Sequence, residues 1–458
     1  METRVERDSM GELNVPSDAL YGAQTQRAVG NFPLSGRGMP ESFIRALLTA
    51  KAAAATANVK LEQIPKDVGI AICKAAEQML SCDDFMSHFP VDVFQTGSGT
   101  SSNMNVNEVL GTVASSILGQ AVNPNDHVNC GQSSNDIIPS TIHISAALGL
   151  QQQLLPALNH LSQVIKTKAE SVDTYVKTGR THLMDAMPVR LSQSLLSWAS
   201  QIDQAKSALE DNQGPIYRLA QGGTAVGTGI NAHPDFADEF NKELSRLTGI
   251  QFRPAGNFFN YIGTQDAAVS LSGQLKSLAV AVIKIANDLR WMNSGPLAGL
   301  GEIELQALQP GSSIMPGKVN PVIPEAAAMV GAQVIGNDTA ITIGGQSGNF
   351  ELNVMLPLIA QNLLDSILLL SNVTRLLADK AIATFIVKEE KLKEALARNP
   401  ILVTALNPII GYAKAAEIAK AAYKTNQPVI DVAEELTDLS RSELELLLDP
   451  EKLTKGGI

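Results

Sequence analysis

One stretch of the chain, Gly311–Pro321, combines residue types that can bind and activate a small anion. It places two adjacent hydroxyls, Ser312 and Ser313, and one ammonium, Lys318, among two glycines and two prolines. Glycine lets backbone N–H groups approach a ligand, while proline stiffens the path of the chain. Hydroxyls, free N–H groups and a single cation together suit an anion. The same composition is typical of an ordinary loop between helices, so other parts of the chain must decide between a site and a linker.

Two polar loops earlier in the chain place neutral hydrogen-bond donors at the start of a helix. The first lies within Gln95–Val109, and its candidate N-cap residues are Ser101, Ser102 and Asn103. The second, Gly131–Asp136, also precedes a helix. Free N–H groups at a helix N-terminus favour anions. Helix capping alone explains either loop. Together with Gly311–Pro321, however, they make three polar loops in a chain rich in alanine and leucine, and this favours an anion site.

An acid–base candidate lies between two long helical patterns, in the polar segment Gly179–Pro188. This candidate is His182, because an imidazole at such a break can exchange protons near neutral pH. Glu325 lies in the first turn of the helix that is predicted to follow Gly311–Pro321, where the helix dipole alone would favour a carboxylate. The glycine-rich segment Gln221–Gly229 has no strand around it, so we interpret it as a tight bend between helices and not as a dinucleotide-binding motif.

Long helices must position these loops. The chain has 458 residues and an aromatic content of only 4%, which favours close-packed helices over a β-sandwich. Apolar residues recur every three or four positions in three segments, which predicts helices with buried stripes. The stripes are Leu154, Leu158, Leu161 and Ile165; Leu271, Leu275, Leu278, Val282, Ile285 and Leu289; and Ile359, Leu363, Ile367 and Leu370. Such helices indicate a bundle, which we expect oligomerisation to bury further.

The remaining patterns predict the domain organisation. Shorter helices are expected at residues 41–58 and 66–81, whereas residues 1–40 are expected to be irregular because they are rich in turn residues. Beyond Val387 the charge density rises and the helices shorten. The predicted domains are an N-terminal, mostly helical domain (1–135), a central long-helix bundle (136–387) and a small C-terminal helical domain (388–458).

Charge and composition argue against several classes of partner. The formal net charge is −11, without a long basic run, which is unfavourable for binding nucleic acid. No signal-peptide core and no uninterrupted run of 18 apolar residues is present, so no membrane span is expected. Three scattered cysteines, Cys73, Cys82 and Cys130, lack metal-ligand spacing and are expected to be free thiols in a reducing cytoplasm.

The stretch Gly-Ser-Ser-Ile-Met-Pro-Gly-Lys-Val-Asn-Pro at 311–321 resembles the signature of the fumarase/aspartase superfamily. The resemblance extends over nearly the whole chain. It implies a mainly α, three-domain fold in a homotetramer, with each active site shared between three subunits. Thr96–Thr100 and Ser133–Asp136 resemble class II fumarate hydratases most, and Thr181-His182 carries histidine where aspartases typically have glutamine.

The resemblance implies reversible hydration of fumarate to (S)-malate, a reaction of the tricarboxylic acid cycle. This reaction requires a base, an acid and an anion clamp, but neither a metal nor a redox cofactor. Ser312 would be the base, with its alkoxide stabilised by loop N–H groups and Lys318. His182, paired with Glu325, would handle the water. The residues implied to hold the two substrate carboxylates are Ser98, Gly99, Thr100, Ser133, Ser134, Asn135, Thr181, Ser313, Lys318, Val319 and Asn320.

Two segments depart from the fumarate hydratase pattern. Pro321–Glu325 is similar to aspartases and keeps an aspartate ammonia-lyase as the alternative, although His182 and Ser134 favour a hydratase. The family's second, peripheral dicarboxylate site normally has His-Pro-Asn-Asp, and the loss of its histidine puts that site in doubt here. The corresponding residues are Asn123, Pro124, Asn125 and Asp126.

Two further readings fit the residues less well. Lyases that act on larger succinyl adducts have different loops. A non-catalytic structural protein on the same scaffold would have no reason to retain the complete acid–base set of Ser312, Lys318, His182 and Glu325.

Overall fold

The computed structural model describes residues 2–456. Contacts between Cα atoms divide the chain into two compact units, each built from three separate segments. Unit 1 comprises the residues up to Pro156, Ala205–Ala279 and Gly331–Ser371; unit 2 comprises Ala157–Gln204, Val280–Val330 and the residues from Asn372 onward. The division into three consecutive domains stays a prediction.

The first 40 residues are more regular than predicted. Strand β1 (Thr3–Asp8) pairs antiparallel with β2 (Gly11–Pro16), and helix α1 spans Ala23–Asn31. Some of the turn residues that suggested irregular structure instead connect the two strands of a hairpin. Gly11, which pairs with Asp8 at the start of β2, adopts a φ of 118°, a conformation that glycine takes easily. The prediction of irregular structure is therefore wrong for this segment.

Unit 1 continues with four helices: α2 (Glu41–Lys60), α3 (Lys66–Ser81), α4 (Thr100–Leu118) and α5 (Ser134–Gly149). Helices α2 and α3 confirm the two shorter helices predicted. The predicted N-cap of α4 is wrong: Gly99, with a left-handed φ of 72°, precedes the helix. Helix α5 begins with a capping box, in which Ser133 Oγ accepts from the Asn135 N–H at 3.2 Å and Asp136 accepts from the Ser133 N–H at 2.9 Å.

The rest of the chain is mainly helical, as predicted. The further helices are α6 (Leu155–Ser171), α7 (Leu191–Asp211), α8 (Gln213–Ile216), α9 (Phe236–Thr248), α10 (Phe258–Gly263), α11 (Asp266–Met292), α12 (Val322–Gln346), α13 (Leu356–Leu377), α14 (Glu389–Ala397), α15 (Asn407–Thr425), α16 (Val429–Leu436), α17 (Arg441–Leu447) and α18 (Pro450–Leu453). Short 3₁₀ or π-helical turns are Phe85–His88, Pro124–Val128, Leu150–Leu154, Ala378–Ile382 and Pro400–Leu406.

The remaining strands form small two-stranded pairs. They are β3 (Val176–Thr181), β4 (Met184–Arg190), β5 (Arg218–Leu219), β6 (Arg253–Pro254), β7 (Ile303–Glu304), β8 (Gly348–Asn349), β9 (Leu352–Asn353) and β10 (Ile386–Val387). Four pairs are formed: β3 with β4, β7 with β10 and β8 with β9 are antiparallel, whereas β5 with β6 is parallel.

The apolar stripes predicted on the long helices are all buried. Polar contacts add to this packing within each unit. In unit 1, Asp338 of α12 accepts from Ser272 and Lys276 of α11 at 2.8 and 2.7 Å. In unit 2, Trp198 Nε1 of α7 donates to Asp288 of α11 at 3.0 Å. The long helices therefore pack through apolar stripes, and a few hydrogen-bonded polar or charged pairs stabilise the contacts between them.

By length and composition alone, three helical stretches could cross a membrane: Asp266–Met292, Leu356–Ile382 and Pro400–Thr425. In the first two, 50% and 61% of the most apolar window is buried inside the structure. Their apolar character therefore coincides with the stripes that pack in the core.

Candidate active site

In unit 1 the two polar loops lie against each other. Asn103 Nδ2 of α4 donates to Ser134 Oγ at the start of α5, at 3.1 Å. A Cβ on Gly99 would lie 2.8 Å from a side chain of α5, so the first loop can approach this closely only with glycine. The hydroxyls of Ser98 and Thr100 are 2.8 Å apart. The structure thus gathers the unit 1 residues implied to bind substrate at the N-termini of two adjacent helices.

The glycine-rich segment Gln221–Gly229 packs beside the second loop. Asn135 Nδ2 donates to the Ala225 carbonyl at 2.8 Å. Behind the loop, Asp136 accepts from the N–H groups of Gly222 and Thr224 at 3.0 and 2.8 Å. The segment is the tight bend that was predicted, and it also holds the 133–135 loop in place.

In unit 2, His182 lies at the exposed tip of the β3–β4 hairpin. His182 and Leu183 both adopt left-handed backbone conformations, with φ of 55° and 59°. The break predicted between two long helices is therefore a hairpin, which presents Thr181 and His182 to solvent. Presentation at a tip leaves the imidazole open to a ligand or to another chain.

The loop Gly311–Pro321 closes on itself at its base. The Gly311 N–H donates to the Lys318 carbonyl at 2.9 Å, and Asn320 Nδ2 donates to the Gly311 carbonyl at 2.7 Å. A Cβ on Gly311 would lie 2.2 Å from the Lys318 carbonyl oxygen, so this closure requires glycine. The Lys318 ammonium donates to Asn320 Oδ1. These hydrogen bonds give the loop a defined conformation, unlike that of a flexible linker.

The hydroxyl of Ser312 lies in a small group of backbone donors. Its Oγ accepts from the N–H of Ile314 at 3.2 Å and from the N–H of Met315 at 2.9 Å. Ser312 is half-buried, whereas the neighbouring Ser313 is exposed. Two N–H donors aimed at one hydroxyl oxygen would stabilise negative charge on that atom.

Glu325 is half-buried in the first turn of α12, as predicted. A cavity of about 410 Å³ in unit 2 is lined by this carboxylate, by the end of the signature loop and by the end of α11. The lining includes Lys318, Val319, Asn320, Glu325, Arg290 and Trp291. Between residues 2 and 456 of a single chain, no hydrogen bond or ion pair joins His182 to Glu325, so their pairing stays a prediction.

The segment implied as a peripheral site folds as a capped turn. Asn123 Oδ1 accepts from the N–H groups of Asn125 and Asp126 at 2.8 and 3.0 Å. A polar cavity of about 530 Å³ beside the segment is lined by three carboxylates and one guanidinium, those of Glu6, Asp8, Glu108 and Arg7. The Oδ1 atom of Asn123 is thus occupied by the turn, and the binding of a dicarboxylate at this segment stays a prediction.

Comparison with known proteins identifies the family. A lyase family model matches residues 11–336, and a model of the fumarase C C-terminus matches residues 402–455. Over 457 residues the chain is 72% identical to class II fumarate hydratase 2 of Pseudomonas aeruginosa, and the match covers 100% of both chains. The chain belongs to the class II fumarate hydratase family.

Further members of the class II fumarate hydratase family agree with this assignment. The Xylella fastidiosa member is 59% identical over 455 residues, which are 99% of this chain and 96% of that one. The crystal structure of class II fumarase from Schistosoma mansoni matches with a TM-score of 0.95 at 39% identity, with 99% of each chain covered. The predicted fumarase/aspartase fold is confirmed.

Two charged residues near the 133–135 loop were not predicted from the sequence to be functional. Lys51 of α2 is fully buried, and burial lowers the pKa of its ammonium to about 7. Burial also raises the pKa of Asp136 to about 6, against the effect of its N–H donors. The sequence signal for Lys51 was a single lysine inside the alanine-rich run of α2.

The hairpin that carries His182 rests on a second charged group. In unit 2, Glu302 accepts from Lys177 at 2.8 Å and from Arg180 at 2.6 Å, and its side chain is only 5% exposed. Because Glu302 follows Arg180 by more than a hundred residues, no local motif points to this contact. Within residues 2–456, no cluster of three or more His, Cys, Asp or Glu side chains is arranged to hold a metal.

Proposed function

We propose that the protein catalyses the reversible hydration of fumarate to (S)-malate. Family membership supports the reaction, and the pair of backbone N–H groups on Ser312 Oγ is the observation that carries the mechanism. In the elimination direction a base removes a proton from the carbon next to a carboxylate. That carboxylate then gains negative charge, which the site must hold.

Ser312 is the base in this proposal. A serine hydroxyl is a poor base unless its alkoxide is stabilised. The N–H groups of Ile314 and Met315 provide that stabilisation, and the Lys318 ammonium lies in the same closed loop. Preorganised donors of this kind contribute on the order of 10²–10³ each to a rate.

His182 handles the leaving hydroxyl or the attacking water, and Glu325 raises its basicity. These two residues are not joined within one chain, and His182 lies exposed at a hairpin tip. We therefore propose that they meet in a homotetramer whose active sites are each shared between three subunits. The exposed hairpin tip would then contact a neighbouring chain.

The substrate is a small dicarboxylate held mainly by neutral donors. The loops that contain Ser98–Thr100 and Ser133–Asn135 present hydroxyls, an amide and helix N-termini in one place. Donors of this type bind a dianion without a cluster of cations, which fits the net charge of −11. We also place the protein in the cytoplasm and in the tricarboxylic acid cycle.

Aspartate ammonia-lyase is the second candidate, because Pro321–Glu325 is similar to aspartases. The test is ultraviolet absorbance of the fumarate double bond, with purified protein and either (S)-malate or L-aspartate in parallel. Absorbance should rise with malate alone. A rise with aspartate alone would establish the ammonia-lyase, and no rise with either substrate would exclude both activities.

A further inference from the structure

The β3–β4 hairpin contains a β-bulge just below its tip. The register between the two strands shifts between Thr178 and Arg180. At this point two residues of β4, Ala186 and Met187, lie opposite the single residue Gly179 of β3. A bulge bends its strand and changes the direction in which the following side chains point. The geometry of this bulge therefore sets the direction of the hairpin tip.

Close backbone contact and one distant side chain define the bulge. Gly179 is buried, and a Cβ at this position would lie 2.5 Å from the Met187 carbonyl oxygen. The other bulged residue, Ala186, accepts a hydrogen bond at its carbonyl oxygen from Asn399 Nδ2, at 2.8 Å. Because a bulge disrupts the regular ladder of its strands, a side chain that binds a bulged carbonyl stabilises the irregular conformation.

The side chain of Asn399 is fixed at both ends. Its Oδ1 accepts from the Ile401 N–H at 3.0 Å, as the N-cap of the 3₁₀ turn Pro400–Leu406. Its Nδ2 reaches the Ala186 carbonyl, 213 residues earlier in the chain, and the residue is only 1% exposed. Capping requires an acceptor alone, which serine or aspartate also provides. The amide donor is therefore the part of Asn399 that acts on the hairpin.

The C-terminal helices also hold the base of the hairpin. Helices α14–α17 share a core of buried apolar residues, and Val176 at the start of β3 packs against it. At the end of β4, Arg190 Nε donates to Thr454 Oγ1 at 3.1 Å. The two ends of the hairpin are thus attached to the same part of the chain that carries Asn399. This support gives Asn399 a fixed position from which to hold the bulge.

We infer that Asn399 is a positioning residue for His182, because its amide holds the bulge in the conformation that directs the hairpin tip. This inference rests on the proposed function, in which His182 handles the water. The ion pairs of Glu302 hold strand β3, whereas Asn399 holds β4. Without the amide donor, the bulge loses this hydrogen bond and can relax. A displacement of about 1 Å at a reacting group can lower a rate on the order of 10²-fold.

The test uses two substitutions that retain the cap and remove the donor. In Asn399→Ser the hydroxyl can cap the turn but is too short to reach Ala186, and in Asn399→Asp the carboxylate cannot donate. In both variants kcat for malate should fall roughly tenfold or more, whereas the Kd of succinate by calorimetry should rise at most about threefold. Succinate binding is largely retained because the residues implied to hold the carboxylates, apart from Thr181, lie in other loops.

The matched control is Ser440→Ala, which removes the capping box of α17 in the same group of helices. This variant should keep the wild-type kcat, because Ser440 bonds with Glu443 and not with the hairpin. If Ser440→Ala lost as much kcat as Asn399→Ser, general weakening of the C-terminal helices would explain the effect and the inference would be overturned. A wild-type kcat in the two Asn399 variants would also overturn it.

Hydrogen exchange followed by mass spectrometry tests the bulge itself. Peptides that cover residues 179–187 should exchange faster in Asn399→Ser and Asn399→Asp than in the wild type, and at the wild-type rate in Ser440→Ala. Unchanged exchange in the Asn399 variants would refute the role of this side chain in holding the bulge. If one of the two substitutions prevents folding, the other is judged by the same criteria.

These outcomes are separable from failure of the hydratase proposal. Hydrogen exchange requires no turnover, so a wild-type protein that does not convert malate would refute the hydratase, while the exchange rates still decide whether Asn399 holds the bulge. A wild-type protein that hydrates fumarate, with unchanged kcat in the Asn399 variants, would retain the function and refute the positioning role.

Discussion

Arg180 Nη2 donates to Glu302 Oε1 at 2.6 Å, one residue before the hairpin tip that carries Thr181 and His182. The other oxygen of Glu302 accepts from Lys177 of the same strand at 2.8 Å. The side chains of Lys177 and Glu302 are 8% and 5% exposed. The orientation of the tip therefore depends on a buried carboxylate held between two cations.

Glu302→Gln should destabilise the protein by about 3 kcal/mol, because it leaves two largely buried cations without their counter-charge. Turnover should fall as well, since the hairpin loses its anchor. Urea unfolding followed by circular dichroism measures the first effect, and the malate assay measures the second. The control is Glu304→Gln, which removes an exposed carboxylate paired with Lys388 and should cost less than about 1 kcal/mol. Equal losses in the two variants would refute a special role for Glu302.

Ser312→Ala should lower kcat for malate by a factor of about 10³ or more, because no alkoxide can form at the position served by the two N–H donors. Gel filtration should show an unchanged oligomer, since the two hydrogen bonds that Ser312 Oγ accepts both come from N–H groups of its own loop. Ser171→Ala, at the exposed end of α6, serves as the matched control and should keep full activity. A Ser312→Ala variant with near-normal turnover would remove serine from the role of base.

Mixed oligomers can test whether active sites are shared between chains. His182→Asn and Ser312→Ala should each be inactive alone. Refolding them together should restore up to about a quarter of the wild-type activity, because one site in four would draw an intact histidine and an intact serine from different chains. The measurement is malate turnover of the mixture against each variant refolded alone. If His182 and Ser312 of one chain formed a site together, the mixture would stay inactive.

Stability should fall in acid because of His143. Its Nδ1 lies 2.9 Å from the Arg218 carbonyl oxygen, and burial lowers the pKa of the imidazole from 6.5 to about 4. The unfolded chain therefore takes up a proton first, so this contribution is complete above pH 6.5 and is lost as the pH falls toward 4. The loss should approach about 3 kcal/mol over that window.

Denaturant unfolding at pH values of about 7.5 and about 4.5 measures this effect. His143→Gln should show a smaller difference between the two pH values than the wild type. If His143→Gln kept the full pH dependence, another group would be responsible.

Local composition was sufficient to predict much of this protein. Helices α2 and α3 and the apolar stripes followed from alanine-rich runs and from spacing by three and four, since neighbours on a helix face are close in sequence. The three polar loops were also recognisable, because glycine, proline and hydroxyl residues act through their immediate backbone. The same local reasoning missed the hairpin of β1 and β2, whose turn residues are equally typical of loops.

The tertiary structure alone decided which of these residues meet. Glu302 reaches Arg180 across 122 residues, and Asn103 joins Ser134 across 31. Lys51 approaches the substrate loop from a helix that, in sequence, shows only a lysine among alanines. The N-cap of α4 is Gly99 and not one of the polar residues expected, because close packing against α5 leaves no room for a side chain at this position. Such contacts depend on how distant segments pack, and the free energy of that packing is not carried by any local pattern.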